Sequence, residues 1–389
     1  MKIKLITIVG ARPQFIKAAA VSRTIARLFS GQIEEKIIHT GQHYDPEMSA
    51  VFFDELQIPR PYKHLNIGSA NHGAQTGQML QAIENVLVEE KPDLVLVFGD
   101  TNSTLAGALA ASKIHIPVAH VEAGLRSHNK AMPEEINRIL TDHVSSLLFP
   151  PTMTGLENLN LEGFLQNEPE KADRNHPALV LSGDVMYDNA LFYKEIADGL
   201  TSEWFSSMGL VKGEFFLSTI HRNANTDDKE KLKSIFTGLY QIAEKHGIPV
   251  VLPLHPRTKK MLGKFAEEDS FFAELQEDKL RIIPPASFLQ MIALESSCRL
   301  ILTDSGGVQK EAYFYRKPCV VLRPETEWVE LVENGFALLA DYQTDRIVKS
   351  VDSLLSKTIN WEINLYGKGD ASEVICTSIL QFLKRNLQP

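Results

Sequence analysis

The run Leu94-Val95-Leu96-Val97-Phe98-Gly99-Asp100-Thr101-Asn102-Ser103-Thr104 decides the fold. Its five consecutive apolar residues are too uninterrupted for a half-exposed strand and too short for a capped helix, so they predict a buried parallel strand. The run stops at a glycine, an acid and small polar residues, where a strand hands over to a helix and where open α/β sheets bind ligands. The next apolar run, Pro117 to Val121, ends the same way in Glu122-Ala123-Gly124-Leu125-Arg126. Pro133 then opens a predicted helix with Glu134 and Glu135 in its first turn, a placement that also suits helix geometry and dipole with no chemistry implied. In that helix Ile136, Ile139, Leu140 and Val144 share a face at the spacing of a buried stripe. Asp100, Glu122 and Glu134 together offer what general acid and base work on a sugar needs, several carboxyl groups at defined positions.

Outward from this stretch the pattern is strand, helix, strand, helix, which predicts a doubly wound α/β protein. Apolar strands are expected at residues 4–9, 35–39, 94–98, 117–121, 146–149 and 178–181 for one sheet. A second series is expected at 215–220, 249–254, 280–283, 299–303, 318–322 and 336–339. A polar helical stretch from Glu195 to Lys212, broken at Gly209, separates them. The predicted domains are residues 1–195, residues 196–370, and a C-terminal helix in 371–389 that crosses back over the first. A chain of 389 residues exceeds what one core usually serves.

Composition narrows the function classes. Hydrophobic residues make up 44% and charged residues 23%, with a formal charge of -9, which fits an ordinary soluble globular protein and argues against a polyanion-binding surface, so no nucleic-acid partner is expected. Cys298, Cys319 and Cys376 are odd in number and set in apolar sequence, so they read as buried reduced thiols. The apolar run from Ile3 to Val9 is too short to span a bilayer and is followed by Arg12 and Lys17, so a cytoplasmic location without membrane attachment is expected. His120-Val121-Glu122 has a zinc-deaminase spacing, but its partner cysteine pair is missing and no catalytic metal is expected.

Three loops are shaped for anions. Gly10-Ala11-Arg12-Pro13-Gln14-Phe15-Ile16-Lys17 places two cations beside a helix start, with neither a dinucleotide fingerprint nor a Walker loop. No nicotinamide or ATP cofactor is therefore expected. Thr303-Asp304-Ser305-Gly306-Gly307-Val308-Gln309-Lys310-Glu311 ends a strand with paired glycines at a helix start, where backbone N–H groups approach a phosphate closely. Glu311, one turn in, is placed to accept from ribose hydroxyls. In Ser218-Thr219-Ile220-His221-Arg222-Asn223 a strand ends in a histidine and an arginine, suited to an acid or phosphate ligand.

Taken together, these residues resemble the non-hydrolysing UDP-N-acetylglucosamine 2-epimerases over nearly the whole chain. The resemblance rests on Gly10-x-Arg12-Pro13-x-x-x-Lys17, Gln42-His43, Gly99-Asp100-Thr101, His120 to Arg126, Pro133-Glu134-Glu135-x-Asn137-Arg138, His221-Arg222 and Thr303 to Glu311. It implies two Rossmann-like domains in the GT-B arrangement with the active site in the cleft, a homodimer, and a UDP-sugar bound without nicotinamide or metal. It also implies a reaction in which UDP is eliminated across C1 and C2, leaving a 2-acetamidoglucal that takes UDP back with the C2 proton on the other face. In that mechanism Asp100, Glu122 and Glu134 are the proton-transfer candidates. Arg12, Lys17, His221, Arg222, Ser305, Gly306 and Gly307 receive the pyrophosphate charge, and Arg138 is the expected partner of Glu134. Gln42 and His43 match the family's regulatory substrate site, whereas Ser69 to Gly77 departs from the bacterial pattern there. Thr326-Glu327-Trp328-Val329-Glu330 and Gly10 to Phe15 look more like the branch acting on UDP-2,3-diacetamido-glucuronate, and both branches feed surface polysaccharide synthesis. A UDP-sugar glycosyltransferase and a hydrolysing 2-epimerase are the rival readings, and a non-catalytic nucleotide-sugar sensor is a weaker third.

Overall fold

A computed structural model describes residues 2–42, 57–173, 175–275 and 279–386. The chain divides into two compact units, Met1–Asn189 with Asn364–Pro389, and Ala190–Ile363. These divisions fall earlier than the expected 195 and 370. The helix expected from Glu195 to Lys212 in fact runs Val185–Ser207, and its first turn belongs with the first unit. There Asn189 donates to the Ile16 carbonyl at 2.6 Å and accepts from Arg23 at 2.5 Å, while Asp188 accepts from the N–H groups of Ala371 and Ser372.

The first unit holds seven parallel strands: β1 Ile3–Val9, β2 Ile33–His39, β3 Lys63–His64, β4 Leu94–Phe98, β5 Val118–Val121, β6 Leu147–Phe149 and β7 Ala178–Leu179. Their order is β3-β2-β1-β4-β5-β6-β7. The chain winds outward in both directions from β1 and β4, so the loops after these strands flank the point where strand order reverses, the usual ligand position in such sheets. β3 was absent from the sequence reading because two residues carry no periodicity. The second unit repeats the scheme with β8 Phe216–Thr219, β9 Val250–Pro253, β10 Leu280–Ile283, β11 Leu300–Thr303, β12 Cys319–Val321 and β13 Ala337–Leu339. Its order is β10-β9-β8-β11-β12-β13, and the reversal lies between β8 and β11.

The central strands are the driest parts of each unit. Every residue of β4 is fully buried, and burying a side chain of this kind contributes roughly 1.5–3 kcal/mol, so the end of β4 is a rigid platform. The three cysteines are buried as expected, and burial pushes the Cys298 thiol up to about 12, which leaves it inert. Among the described residues no helix is long and apolar enough to cross a membrane.

The Pro133–Val144 helix corrects one expectation. Ile136 and Leu140 are 44% and 42% exposed, whereas Glu135, Asn137, Thr141 and Asp142 are buried. Ile139 and Val144 are half-buried and Val144 packs against the core, so only the Ile136 and Leu140 part of the predicted stripe faces outward, and three of the inward polar side chains meet defined partners, which removes most of the cost of burying them.

Candidate functional site

In the first unit, two strand ends and two helix starts converge. β1 leads through Gly10 and Ala11 into the Arg12–Thr24 helix. Gln14 ties this start to the end of β4: its Oε1 accepts from the N–H groups of Gly10 and Ala11 at 2.8 and 3.1 Å, and its Nε2 donates to the Phe98 carbonyl at 2.8 Å. Lys17, farther along the same helix, forms an ion pair with Glu122. Glu122 sits just past β5 with φ of +69°, a left-handed conformation that costs an L residue roughly 1–2 kcal/mol. Such strain is tolerated where a side chain must be aimed. Gly99 also has positive φ, +63°, and a Cβ there would lie 3.2 Å from Glu122 Oε2 and 3.3 Å from Lys17 Nζ. The glycine is therefore needed twice, for the turn and for the close approach of the ion pair.

Asp100 and Arg138 come together as a pair with Nη2 to Oδ2 at 2.5 Å. Arg138 was expected to hold Glu134, but its other nitrogen goes to Glu135 at 2.9 Å. Helix geometry explains the difference. Glu135 points inward and is buried, and it also accepts from the N–H groups of Ser127 and His128, both at 2.9 Å. Burial raises its carboxyl, but the Ser127 and His128 donors and Arg138 outweigh this and hold it below the ordinary value. Glu134 is exposed at the helix start. Arg12 is exposed at the first position of the helix that follows β1.

Beneath Asp100 lies an amide and imidazole network that sequence reading passed over. Asn137 Nδ2 donates to the Asp100 carbonyl at 2.8 Å and to Asn102 Oδ1 at 3.2 Å. His120, weighed only as a metal ligand, places Nε2 at 2.8 Å from the Gly99 carbonyl and Nδ1 at 2.7 Å from Asp142. Burial works against the charge on Asp142, yet His120 and Arg126 hold its carboxyl below the ordinary range. The one signal in the sequence was that His120 and Asn137 stand inside the quoted motifs. Gln42 caps the neighbouring helix start, its Oε1 accepting from the N–H and hydroxyl of Ser103 at 3.2 and 2.7 Å. His43 lies outside the described residues. Among the described residues no group of three or more His, Cys, Asp or Glu side chains could hold a metal ion.

In the second unit the loops after β8 and β11 meet at Asp304. This fully buried carboxylate accepts from the N–H groups of His221 and Arg222 at 3.0–3.1 Å and from Asn225 Nδ2 at 3.1 Å. His221 Nδ1 is 3.3 Å from the same carboxylate, so Asp304 orients the ring. Ser305 precedes the Gly306–Phe314 helix. A Cβ on Gly306 would collide with the carboxylate of Glu327, whereas one on Gly307 would meet only Ser305 Oγ at 3.9 Å. Glu327 thus rests over the helix start, 2.7 Å from Arg323 and 3.7 Å from Arg222. Trp328 Nε1 donates to the Gly306 carbonyl at 2.9 Å and closes this loop over it. Glu311, one turn in, is pushed up to about 7 by loss of hydration, against the pull of Lys310. The neighbouring Glu295 is buried and raised well above its ordinary value, first by burial and then by repulsion from Glu311.

Comparison with known proteins gives this geometry a family. A model described as UDP-N-acetylglucosamine 2-epimerase matches residues 28–380. The UDP-2,3-diacetamido-2,3-dideoxy-D-glucuronate 2-epimerase of Pseudomonas aeruginosa is 49% identical over 373 residues, covering 96% of this chain and 98% of that one. The structure of UDP-GlcNAc 2-epimerase from Methanocaldococcus jannaschii is 42% identical with a TM-score of 0.85, covering 97% of this chain and 99% of that one. A second structure of that enzyme, in complex with UDP-GlcNAc and UDP, gives 43% identity and a TM-score of 0.75 with the same coverage. With two doubly wound parallel units and a match over almost its full length, the chain belongs to the UDP-N-acetylglucosamine 2-epimerase family of isomerases.

Proposed function

We propose that the chain interconverts UDP-N-acetylglucosamine and UDP-N-acetylmannosamine by eliminating UDP to a 2-acetamidoglucal and adding it back. The observation that carries this reading is the pairing of Asp100 with Arg138 and of Glu122 with Lys17 at the ends of adjacent strands, in a chain of this family. The C2 hydrogen is not acidic in the ground state, so its removal goes with cleavage of the C1–O bond and needs a positioned carboxylate base. Asp100, Glu122 and Glu134 are the proton-transferring members of the catalytic set, which His221 completes. The roles of base and acid belong to the set, because coupled carboxylates share their protons. The leaving diphosphate gains negative charge as the bond breaks. In the second unit the backbone N–H groups at Gly306 and Gly307, with Ser305, His221 and Arg222, stabilise it, and Glu311 accepts from the ribose. The chemistry needs no nicotinamide and no metal.

A second reading, the same chemistry on UDP-2,3-diacetamido-2,3-dideoxy-glucuronate, is favoured by the 49% identity to the Pseudomonas aeruginosa enzyme. With either reading we propose that the chain works as a cytoplasmic homodimer supplying precursors for surface polysaccharide. The exposed Ile136 and Leu140 face supports an oligomer, and light scattering tests it. The decisive experiment offers each UDP-sugar in turn to the enzyme in heavy water, without added cofactor, and follows the proton spectrum. Epimerised product carrying deuterium at C2 is expected. Product that keeps its original C2 hydrogen overturns the elimination route, and the substrate that reacts faster decides between the readings. Free UDP accumulating in step with product would instead indicate a hydrolysing epimerase.

A further inference from the structure

Three consecutive carbonyls at the end of β4 are each held by a side chain from another part of the first unit. Phe98 is held by Gln14 and, at 2.7 Å, by Thr104; Gly99 is held by His120 and Asp100 by Asn137. The turn they grip contains a glycine at positive φ, the residue with the least intrinsic preference for one conformation. The grip therefore decides where the Asp100 side chain points and where the floor under the Lys17–Glu122 pair lies.

His120 differs from Gln14, Thr104 and Asn137 in what stands behind it. Its ring is fully buried, and both nitrogens face acceptors: the Gly99 carbonyl at Nε2 and the Asp142 carboxylate at Nδ1. A carbonyl has no hydrogen to give, so Nε2 carries one. Asp142 also accepts from the Gly124 N–H at 3.1 Å and from Arg126 at 2.7 Å, which keeps it an acceptor at Nδ1 as well. The charged groups around the ring are thus Asp142, Arg126 and the Glu162 that pairs with Arg126 at 2.7 Å, with the Lys17–Glu122 pair on the far side of Gly99. Hydrogen bonds from a charged donor are roughly twice as strong as neutral ones.

We propose that His120 is a positioning residue, held as a buried imidazolium between Asp142 and the Gly99 carbonyl, that fixes the Gly99–Asp100 turn for proton transfer. The positioning role rests on the reading that Asp100 and Glu122 do the chemistry. Asp142→Asn tests it by changing charge while leaving every hydrogen bond a partner. The new Nδ2 donates to His120 Nδ1, Oδ1 still accepts from Gly124 and Arg126, and Nε2 still donates to Gly99, but the ring becomes neutral. Nitrogen-15 spectra of histidine-labelled enzyme at pH 8 are expected to show one histidine with hydrogens on both nitrogens. It is assigned by its loss in His120→Asn and should be absent in Asp142→Asn. In Asp142→Asn, kcat is expected to fall about tenfold or more with KM nearly unchanged, the pattern of a misplaced catalytic group. A wild-type His120 with one bare nitrogen overturns the proposal, as does an Asp142→Asn enzyme with normal kcat. If that variant does not fold, the wild-type spectrum still decides the charge, and His120→Gln, which retains a donor to Gly99 without the charge, supplies the kinetic comparison. A wild type that epimerises neither UDP-sugar would count against the functional reading, and the spectrum would judge the imidazolium separately.

Discussion

Gly99→Ala separates strain from site geometry. Left-handed backbone costs an L residue roughly 1–2 kcal/mol, and the smaller unfolded-state freedom of alanine returns roughly 0.4–1 kcal/mol. The net loss of about 1 kcal/mol lowers Tm by roughly 2–4 °C in a unit of this size class. Gly163 supplies the control, since its φ is +93° and nothing lies within 4 Å of where its Cβ would be. Both variants bear a similar backbone cost. Only at Gly99 does the new methyl meet the ion pair, at 3.2 Å from Glu122 Oε2 and 3.3 Å from Lys17 Nζ, so one of the two side chains shifts by a few tenths of an ångström. A misplacement of about 1 Å costs on the order of a hundredfold in rate. This smaller shift is expected to cost about tenfold, or about 1.4 kcal/mol in the barrier. Thermal melts and initial rates of both variants are the assay. Similar melting losses with a turnover deficit confined to Gly99→Ala are expected. Equal turnover in the two variants would show that the Lys17–Glu122 pair is not where the chemistry happens.

Further outcomes are expected at six other substitutions. Asp100→Asn lowers turnover by about two orders of magnitude while UDP affinity stays within a few fold, because the carboxylate acts on the proton alone; a near-normal rate removes Asp100 from the catalytic set. Gly307→Val folds normally, since only Ser305 Oγ lies near its Cβ, and weakens UDP binding by about tenfold or more; Glu327→Gln tightens it by roughly two- to fivefold, the scale of an exposed charge contact. Calorimetry with UDP checks both, and unchanged affinities place the phosphate elsewhere. Glu135→Gln turns an amide N–H towards a backbone donor and costs roughly 1–3 kcal/mol in urea unfolding, whereas the exposed Glu134→Gln changes stability by less than about 0.5 kcal/mol and is read instead by its loss of turnover. Glu311 has a raised value in the folded chain, about 7 against 4.5, so between these limits the folded state binds more protons than the unfolded one. Its contribution is present below pH 4.5, is lost as pH rises through 7, and should be flattened in urea titrations of Glu311→Gln.

The sequence by itself determined the architecture and the strand ends and helix starts on which the candidate site residues lie. Uninterrupted apolar runs such as Leu94–Phe98 read as strands buried on both faces, and the polar residues after them must then lie at strand ends, so Asp100 and Glu122 were each legible as strand-end residues before any coordinates, while the pairing of their two strands was not. Gly306 and Gly307 were equally legible as a helix start. Only the tertiary structure decided which way the Pro133–Val144 helix faces. Periodicity records that apolar residues share a side, but not that the opposite side finds partners in Ser127, His128 and His120 that offset the cost of burying Glu135 and Asp142. For the same reason Arg138 pairs with Asp100, 38 positions earlier in the chain, rather than with the adjacent-turn Glu134. The clamp on the Gly99 turn was hidden as well, because a hydrogen bond from a side chain to a distant carbonyl leaves no mark on the residue that accepts it.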